Sequence, residues 1–345
     1  MTKSLQTILD KVVDGKKVFG TSFAIKKYDM VWQGASGDLT TDCPYFIAST
    51  TKLFTTAIIL RLKEEGKLRL KDKISNYINA SILSGLHLYK GNDYSQEITI
   101  KHLLSHTSGL PDYFQDKGTS GKSLEDEIMA GYDQSWTFEE SIERSKKMSP
   151  LFAPGTPGKA KYSDANFQLL GEIIETITGK SYSENCQERI IQPLGLTKTY
   201  LYQDSTDERP KLMYHKKKKL NIPKAMTSFG ADGGIVSVSS DMLVFIEAFF
   251  AGKLFPGPYV DELKEWNRIF PPMRAGVGIH LFKLPWLLDP KGAIPFFIGH
   301  SGLSGALAFY SPRENIYIAG TVNQTAHPDI SFRTMISLTQ QLLKK

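Results

Sequence analysis

The stretch FIASTTKLFT, residues 46–55, decides how the chain is read. It passes from apolar Phe46-Ile47-Ala48 through polar Ser49-Thr50-Thr51-Lys52 and back to apolar Leu53-Phe54. That pattern predicts a strand running into a helix that opens at Ser49, reaches about Glu65 and stops at Gly66. Two readings of the polar turn compete. In the first, Ser49 caps the helix and Lys52 reaches for water. In the second, Ser49 is a nucleophile and Lys52 helps to take its proton. Positions i and i+3 share a helical face. A helix start also offers free N–H groups and a positive dipole end, which suit a developing oxyanion. A serine hydroxyl needs a neighbouring base to attack. A lysine serves only if its pKa falls well below ~10.4. Alone, Ser-x-x-Lys says little, since roughly one chance match is expected in a chain of this size.

Two more stretches bear on the choice. In KAKYSDANFQLLGEIIETITG, residues 159–179, Tyr162-Ser163-Asp164 stand just before an amphipathic helix ended by Gly179. Ser163 or Asp164 suits an N-cap, but capping does not explain Tyr162. In IGHSGLSGALAFYSP, residues 298–312, His300-Ser301-Gly302 lie on or beside a strand, where a glycine marks a bulge or a close backbone approach. His102 and His106, at i and i+4, could face one metal, but the zinc-protease pattern would need a glutamate beside His102.

With 345 residues, 41% hydrophobic and 23% charged, the chain can build a sizeable core as one large domain or two ordinary ones. The net charge of +6 is modest, and the lysine run at 216–219 reads as a solvated loop rather than a nucleic-acid groove. Cys43 and Cys186 form neither a disulfide framework nor a metal spacing. The N-terminus lacks the apolar core of a secretory signal, and no apolar run spans a bilayer. The sequence therefore reads as cytoplasmic; a chain whose leader had been removed, periplasmic or secreted, would look the same.

Residues 4–14 are predicted helical, and 19–37 form two strands joined near residues 26–29. Residues 66 to about 215 read mostly as helix and loop. Short β-rich segments return after 225 at GGIVSVSS, FFIGHSG, GALAFYSP and NIYIAGTVN, and a last helix covers about 330–343. Strands from both chain ends would pair around a helical insertion. The short connections near the C-terminus make that part antiparallel.

Taken in order, these pieces resemble the serine β-lactamase and penicillin-binding-protein superfamily, most closely its class C β-lactamase-like branch with the family VIII carboxylesterases. Ser49-Thr50-Thr51-Lys52 matches Ser-x-x-Lys, Tyr162-Ser163-Asp164 the Tyr-x-Asn position, and His300-Ser301-Gly302 the Lys-Thr-Gly position. ITIKHLLSHTSGLPDY at 98–113, PGTPGKAKYSD at 154–164, PLGLTKTYLY at 193–202 and GADGGIVSVSSDM at 230–242 also fit. The resemblance covers residues 19 to 345 and implies an α+β fold. In it, an antiparallel sheet flanked by helices (1–65 and 220–345) carries an inserted, mostly helical region (66–219). The site would lie between the two parts.

The resemblance further implies that Ser49 attacks a carbonyl and that the N–H groups of Ser49 and Leu303 form the oxyanion hole. Lys52 and Tyr162 would share the proton work, Tyr162 activating the deacylating water. Near a Lys52 ammonium, Tyr162 is expected to ionise more readily than a free phenol. Asp164, His300 and Gly302 would contact substrate. Asp164 replaces asparagine, exchanging a donor-acceptor amide for an acceptor. His300 replaces a lysine that holds a substrate carboxylate; a largely neutral imidazole weakens that hold and favours esters. The expected function is a carboxylesterase with weak β-lactam hydrolysis. A β-lactamase or D-amino-acid or DD-peptidase is the alternative, and a non-catalytic binding or assembly protein the alternative of another class. A small acyl substrate is the only partner implied, with no cofactor, metal or nucleic acid; oligomeric state and natural substrate are not legible. Residues 114–150 are expected to shape the substrate pocket.

Overall fold

The computed structural model describes residues 2–118 and 121–344. Its principal elements are α1 (Thr2–Val12), β1 (Gly20–Lys27), β2 (Met30–Gly37), α2 (Lys52–Glu64), α3 (Ala165–Thr178), α4 (Ser239–Phe250), β3 (Asn267–Arg268), β4 (Met273–Ala275), β5 (His280–Phe282), β6 (Phe297–Ser301), β7 (Ala306–Ser311), β8 (Ile316–Thr321) and α5 (Asp329–Leu343). The eight strands form one sheet in the order β3-β4-β5-β6-β7-β8-β1-β2, and every neighbouring pair is antiparallel. Strands from both chain ends meet where Ala24 of β1 lies opposite Ala319 of β8.

Both faces of β1 are covered, and its side chains show by what. Phe23 and Ile25 join Leu5 and Leu9 of α1 and Met335 and Leu338 of α5 in one apolar cluster. The alternate residues face the other way. Ala24, Ala308 and Ala319 pack with Phe245 and Phe249 of α4, their small side chains letting that helix lie close. Beside them Ser22 Oγ lies 2.9 Å from Ser239 Oγ. The same cluster continues through Leu103, Leu169 and Ile173 of the helical segment.

α2 runs through the middle of this cluster. Nearly every residue from Lys52 to Leu62 is buried, as a helix without a polar face must be. It ends as expected, with Gly66 at φ +69°. α3 likewise ends at Gly179 in the left-handed region. Three features differ from the sequence reading. α4 was not anticipated, nor were β3–β5, whose two or three residues are too few to establish a period. Ile235–Ser237 does not enter the main sheet. It pairs with Tyr45–Phe46 and Tyr200–Leu201 in a separate three-stranded sheet. The lysine run closes a two-stranded hairpin in which Lys218 and Lys219 are exposed. No helix among the described residues is long and apolar enough to cross a membrane.

Candidate active site

The small sheet fixes where Ser49 stands. Ile47 N–H donates to Ile235 O at 3.0 Å, and Ile235 N–H donates to Thr51 Oγ1 at 3.2 Å. Between these anchors the chain makes a sharp elbow. Ala48 has φ +45°, a conformation a residue with a Cβ adopts only where its surroundings impose it. A 3-10 turn, Ala48–Thr51, follows and leads directly into α2, and no side chain caps it. The capping reading of Ser49 is therefore excluded. Its Oγ instead accepts hydrogen bonds from Lys52 Nζ at 3.0 Å and Tyr162 Oη at 2.8 Å.

Lys52 is wholly buried. Besides Ser49 Oγ, its Nζ meets Asp164 Oδ1 and Asp232 O, each at 2.6 Å. An ammonium uses all three protons on these partners. An amine would donate to Asp164 and Asp232 O and turn its lone pair to Ser49. Tyr162 Oη also lies 3.1 Å from Asp164 Oδ1, and a phenol has one proton to share between that carboxylate and Ser49. Asp164 provides no side-chain cap to α3. The expectation that Tyr162 ionises easily is overturned: burial, and then the negative charge of Asp164, push it well above the usual phenol range. The lysine charge that was to lower it is already paired with Asp164.

Two more carboxyls lie nearby. Asp232, held by Tyr113 Oη at 2.7 Å and Gln168 Nε2 at 3.1 Å, is pushed up to about 7 by burial and then by Asp164. Asp112 is pushed well above the carboxylate range by burial and then by Asp164.

The opposite wall is the end of β6. A Cβ on Gly302 would fall 2.4 Å from Ile47 O and 3.0 Å from Ser49 N, so only glycine lets this strand touch the serine turn. Ser304 Oγ donates to Phe46 O at 2.7 Å and closes the same contact. His300 is buried, with Nδ1 2.8 Å from Ser301 O. Its ring stacks on His280 at 3.9 Å. Among the described residues His280 has no hydrogen-bond partner on either nitrogen, and it faces the cavity. Burial, followed by other positive or titratable neighbours, pushes both imidazoles down, His280 to about 3. His102 and His106 do separate work. His102 Nδ1 accepts from Thr99 N–H in a capping box. The His106 ring stacks on Tyr162 at 4.6 Å, holding the phenol in place.

A cavity of about 670 Å³ opens over Ser49. Ser49, Tyr162, Asp164, Gly302 and Leu303 line it, Lys52 lies beneath, and His300 stands a layer back behind His280. The remaining wall is mostly apolar, with Phe114, Ile128, Met226, Phe229, Phe270, Phe282 and Phe332, and it also carries Gln115, Thr325 and the paired Asp329 and Arg333. Phe114, Ile128 and Met129 come from the 114–150 stretch.

The family described as Beta-lactamase matches residues 5–335, nearly the whole chain. This chain belongs to the beta-lactamase family. The D-alanyl-D-alanine-carboxypeptidase/endopeptidase AmpH of Escherichia coli (strain K12) is 27% identical over 209 residues, 61% of this chain and 49% of AmpH. The chain spans about half the length of the curated relatives it matches. Among solved structures, the D-amino acid amidase from Ochrobactrum anthropi SV3 complexed with D-phenylalanine superposes with a TM-score of 0.81 at 22% identity, covering 99% of each chain. EstCE1, a hydrolase with promiscuous acyltransferase activity, superposes with a TM-score of 0.79 at 20% identity, covering 99% of this chain and 98% of its own. At such identities the likeness speaks for the shared beta-lactamase fold. Two site residues of this family member escaped the sequence reading, Asp232 and His280. Asp232 sits in the GADGG stretch but acts on Lys52 through its backbone carbonyl, which no side-chain motif announces. His280 lies on a three-residue strand with no pattern around it.

Proposed function

We propose that this chain is a serine acyl hydrolase that works through an acyl-enzyme on Ser49 and prefers carboxylic esters with apolar acyl groups. The observation that carries the reading is Ser49 Oγ, 3.0 Å from Lys52 Nζ and 2.8 Å from Tyr162 Oη, at the floor of an apolar cavity. A nucleophile needs a proton acceptor within hydrogen-bond reach: Lys52 supplies one as the amine, and the Tyr162 phenol takes the serine proton as it passes its own to Asp164. Attack puts negative charge on the substrate oxygen. The N–H groups of Ser49 and Leu303, on the two backbone segments that Gly302 brings into contact, are the donors proposed to receive it. As Ser49 loses its proton toward Tyr162 or Lys52, Asp164 keeps the pair's charge balanced, since it accepts from both. The acid–base pair then returns a proton to the leaving group and activates water against the acyl-enzyme.

Position 300 favours esters over anionic substrates. Where the resemblance would place a lysine for a substrate carboxylate, this chain has a buried, neutral imidazole turned to Ser301 O. The test is a panel of p-nitrophenyl esters, D-amino-acid amides and a chromogenic cephalosporin, run beside fluorophosphonate labelling. Stoichiometric labelling of Ser49 with ester turnover well above amide and lactam turnover is the expected result. Labelling without turnover of any of them would favour a binding protein, and faster lactam or amide turnover would overturn the ester preference.

A further inference from the structure

We infer that the mouth of the Ser49 cavity is a lipid-facing surface and that the substrate is a long-chain acyl ester taken from a lipid–water interface; the substrate half rests on the hydrolase reading above. Trp286, Leu287 and Leu288 are consecutive and 75%, 81% and 70% exposed. Elsewhere among the described residues large exposed apolar side chains, such as Val31, Leu151 and Val244, stand apart in sequence, which is ordinary for a protein surface. Three in a row are not.

Their position gives them a meaning. Leu284 and Leu288 of the same segment line the Ser49 cavity, whereas Trp286 and Leu287 do not. Phe270, also half exposed, lines the cavity as well. The wall of the cavity and the exposed patch are therefore one continuous apolar surface, running from Ser49 out to solvent. The tip is a built turn. Leu288 N–H donates to Pro285 O at 2.9 Å, and the Asp289 carboxylate accepts from Ala293 N–H at 2.9 Å and Ile294 N–H at 2.8 Å. That fold spends the one carboxylate between 283 and 292 on the backbone, while Lys283 and Lys291 stand exposed at the flanks. A tryptophan and leucines between lysines match the chemistry of a membrane-water boundary: the apolar side chains enter the acyl region and the amines stay with the headgroups. A protein docked on the same residues would cover the mouth of the cavity. A lipid surface covers it and supplies what the apolar cavity holds.

The experiment compares the full chain with the double variant Trp286→Ser/Leu287→Ser, which leaves the cavity lining intact. Co-sedimentation with phosphatidylcholine vesicles is measured, together with turnover of p-nitrophenyl dodecanoate carried in those vesicles and of soluble p-nitrophenyl acetate. The wild type is expected to sediment with vesicles. The variant should lose binding by about tenfold or more, lose dodecanoate turnover in step, and keep its acetate turnover. Wild-type protein left in the supernatant, or a variant that binds as well as wild type, would overturn the proposal. So would a wild-type dimer that ignores vesicles and becomes monomeric in the variant, since the patch would then be a protein interface. If vesicle binding follows the patch while neither protein cleaves any ester, the lipid surface stands and the substrate half falls with the hydrolase reading.

Discussion

At the residue scale the site is one buried cation shared among more acceptors than it can neutralise. Ser49→Ala removes the only proposed carrier of the acyl group, so ester turnover should fall by several orders of magnitude; a clean preparation that keeps substantial activity would end the mechanism. Tyr162→Phe removes one oxygen and keeps the ring that stacks on His106. If Tyr162 activates the deacylating water, turnover should fall ~10²-fold or more while mass spectrometry shows acyl-enzyme building up on Ser49. Wild-type rates would leave Lys52 as the only base in contact with Ser49. Asp164→Asn takes the negative charge away from Lys52 and Tyr162 while nearly preserving shape. Tyr162 should then give up its proton more readily, moving the acidic limb of the kcat/KM profile down by about one pH unit. A merely structural role would lower rates at every pH without moving the limb. The serine, lysine and tyrosine were legible in the sequence because each has a distinctive type at a fixed offset from an element start. The phenol's direction of shift was not, because it depends on Asp164 sitting between tyrosine and lysine, a relation across 112 residues of chain.

Elements are where sequence and structure part most clearly. α2, α3 and α5 were readable because long apolar stripes or runs end at a glycine or at the chain's end. The edge of the sheet was not: β3, β4 and β5 have two or three residues each, and each is a strand only because the next one, and finally β6, stands beside it. Tertiary context of this kind leaves no periodicity to detect. Yet β5 brings His280 to the cavity, and β6 ends at the contact proposed to form the oxyanion hole. Gly302→Ala tests that contact. Its new methyl would press on Ile47 O and Ser49 N. The strand end must then withdraw from the serine turn, and a shift of this kind in an oxyanion donor costs ~10²-fold or more in kcat. Circular dichroism should stay native and KM should change much less than kcat. Unchanged kcat would mean that the end of β6 takes no part in stabilising the oxyanion.

Across the whole molecule, burial of so many titratable groups around one cavity ties stability to pH in two opposing directions. His280, held down to about 3, stays neutral in the fold but takes up a proton below about 6.5 once unfolded, so it adds stability as pH rises between those values. His106 and His300 are shifted in the same direction. Asp232, raised to about 7 from an unfolded value near 3.8, binds more protons folded than unfolded, so it subtracts stability as pH rises through that window; Asp112 adds to the same loss. The opposing slopes conceal each other in the wild type, and single variants should uncover them. Asp232→Asn imitates the protonated acid, so relative to wild type its stability should improve from pH 5 to pH 7. His280→Gln removes a rising contribution, so its stability should worsen relative to wild type from pH 4 to pH 6.5. Each group can change the slope by up to about 1.4 kcal/mol per pH unit where its two states differ by a full proton. Urea unfolding midpoints for the three proteins across pH 4 to 8 measure both differences. Parallel curves would mean that neither group changes its proton affinity on folding, and that the buried charge around Lys52 is balanced by other groups.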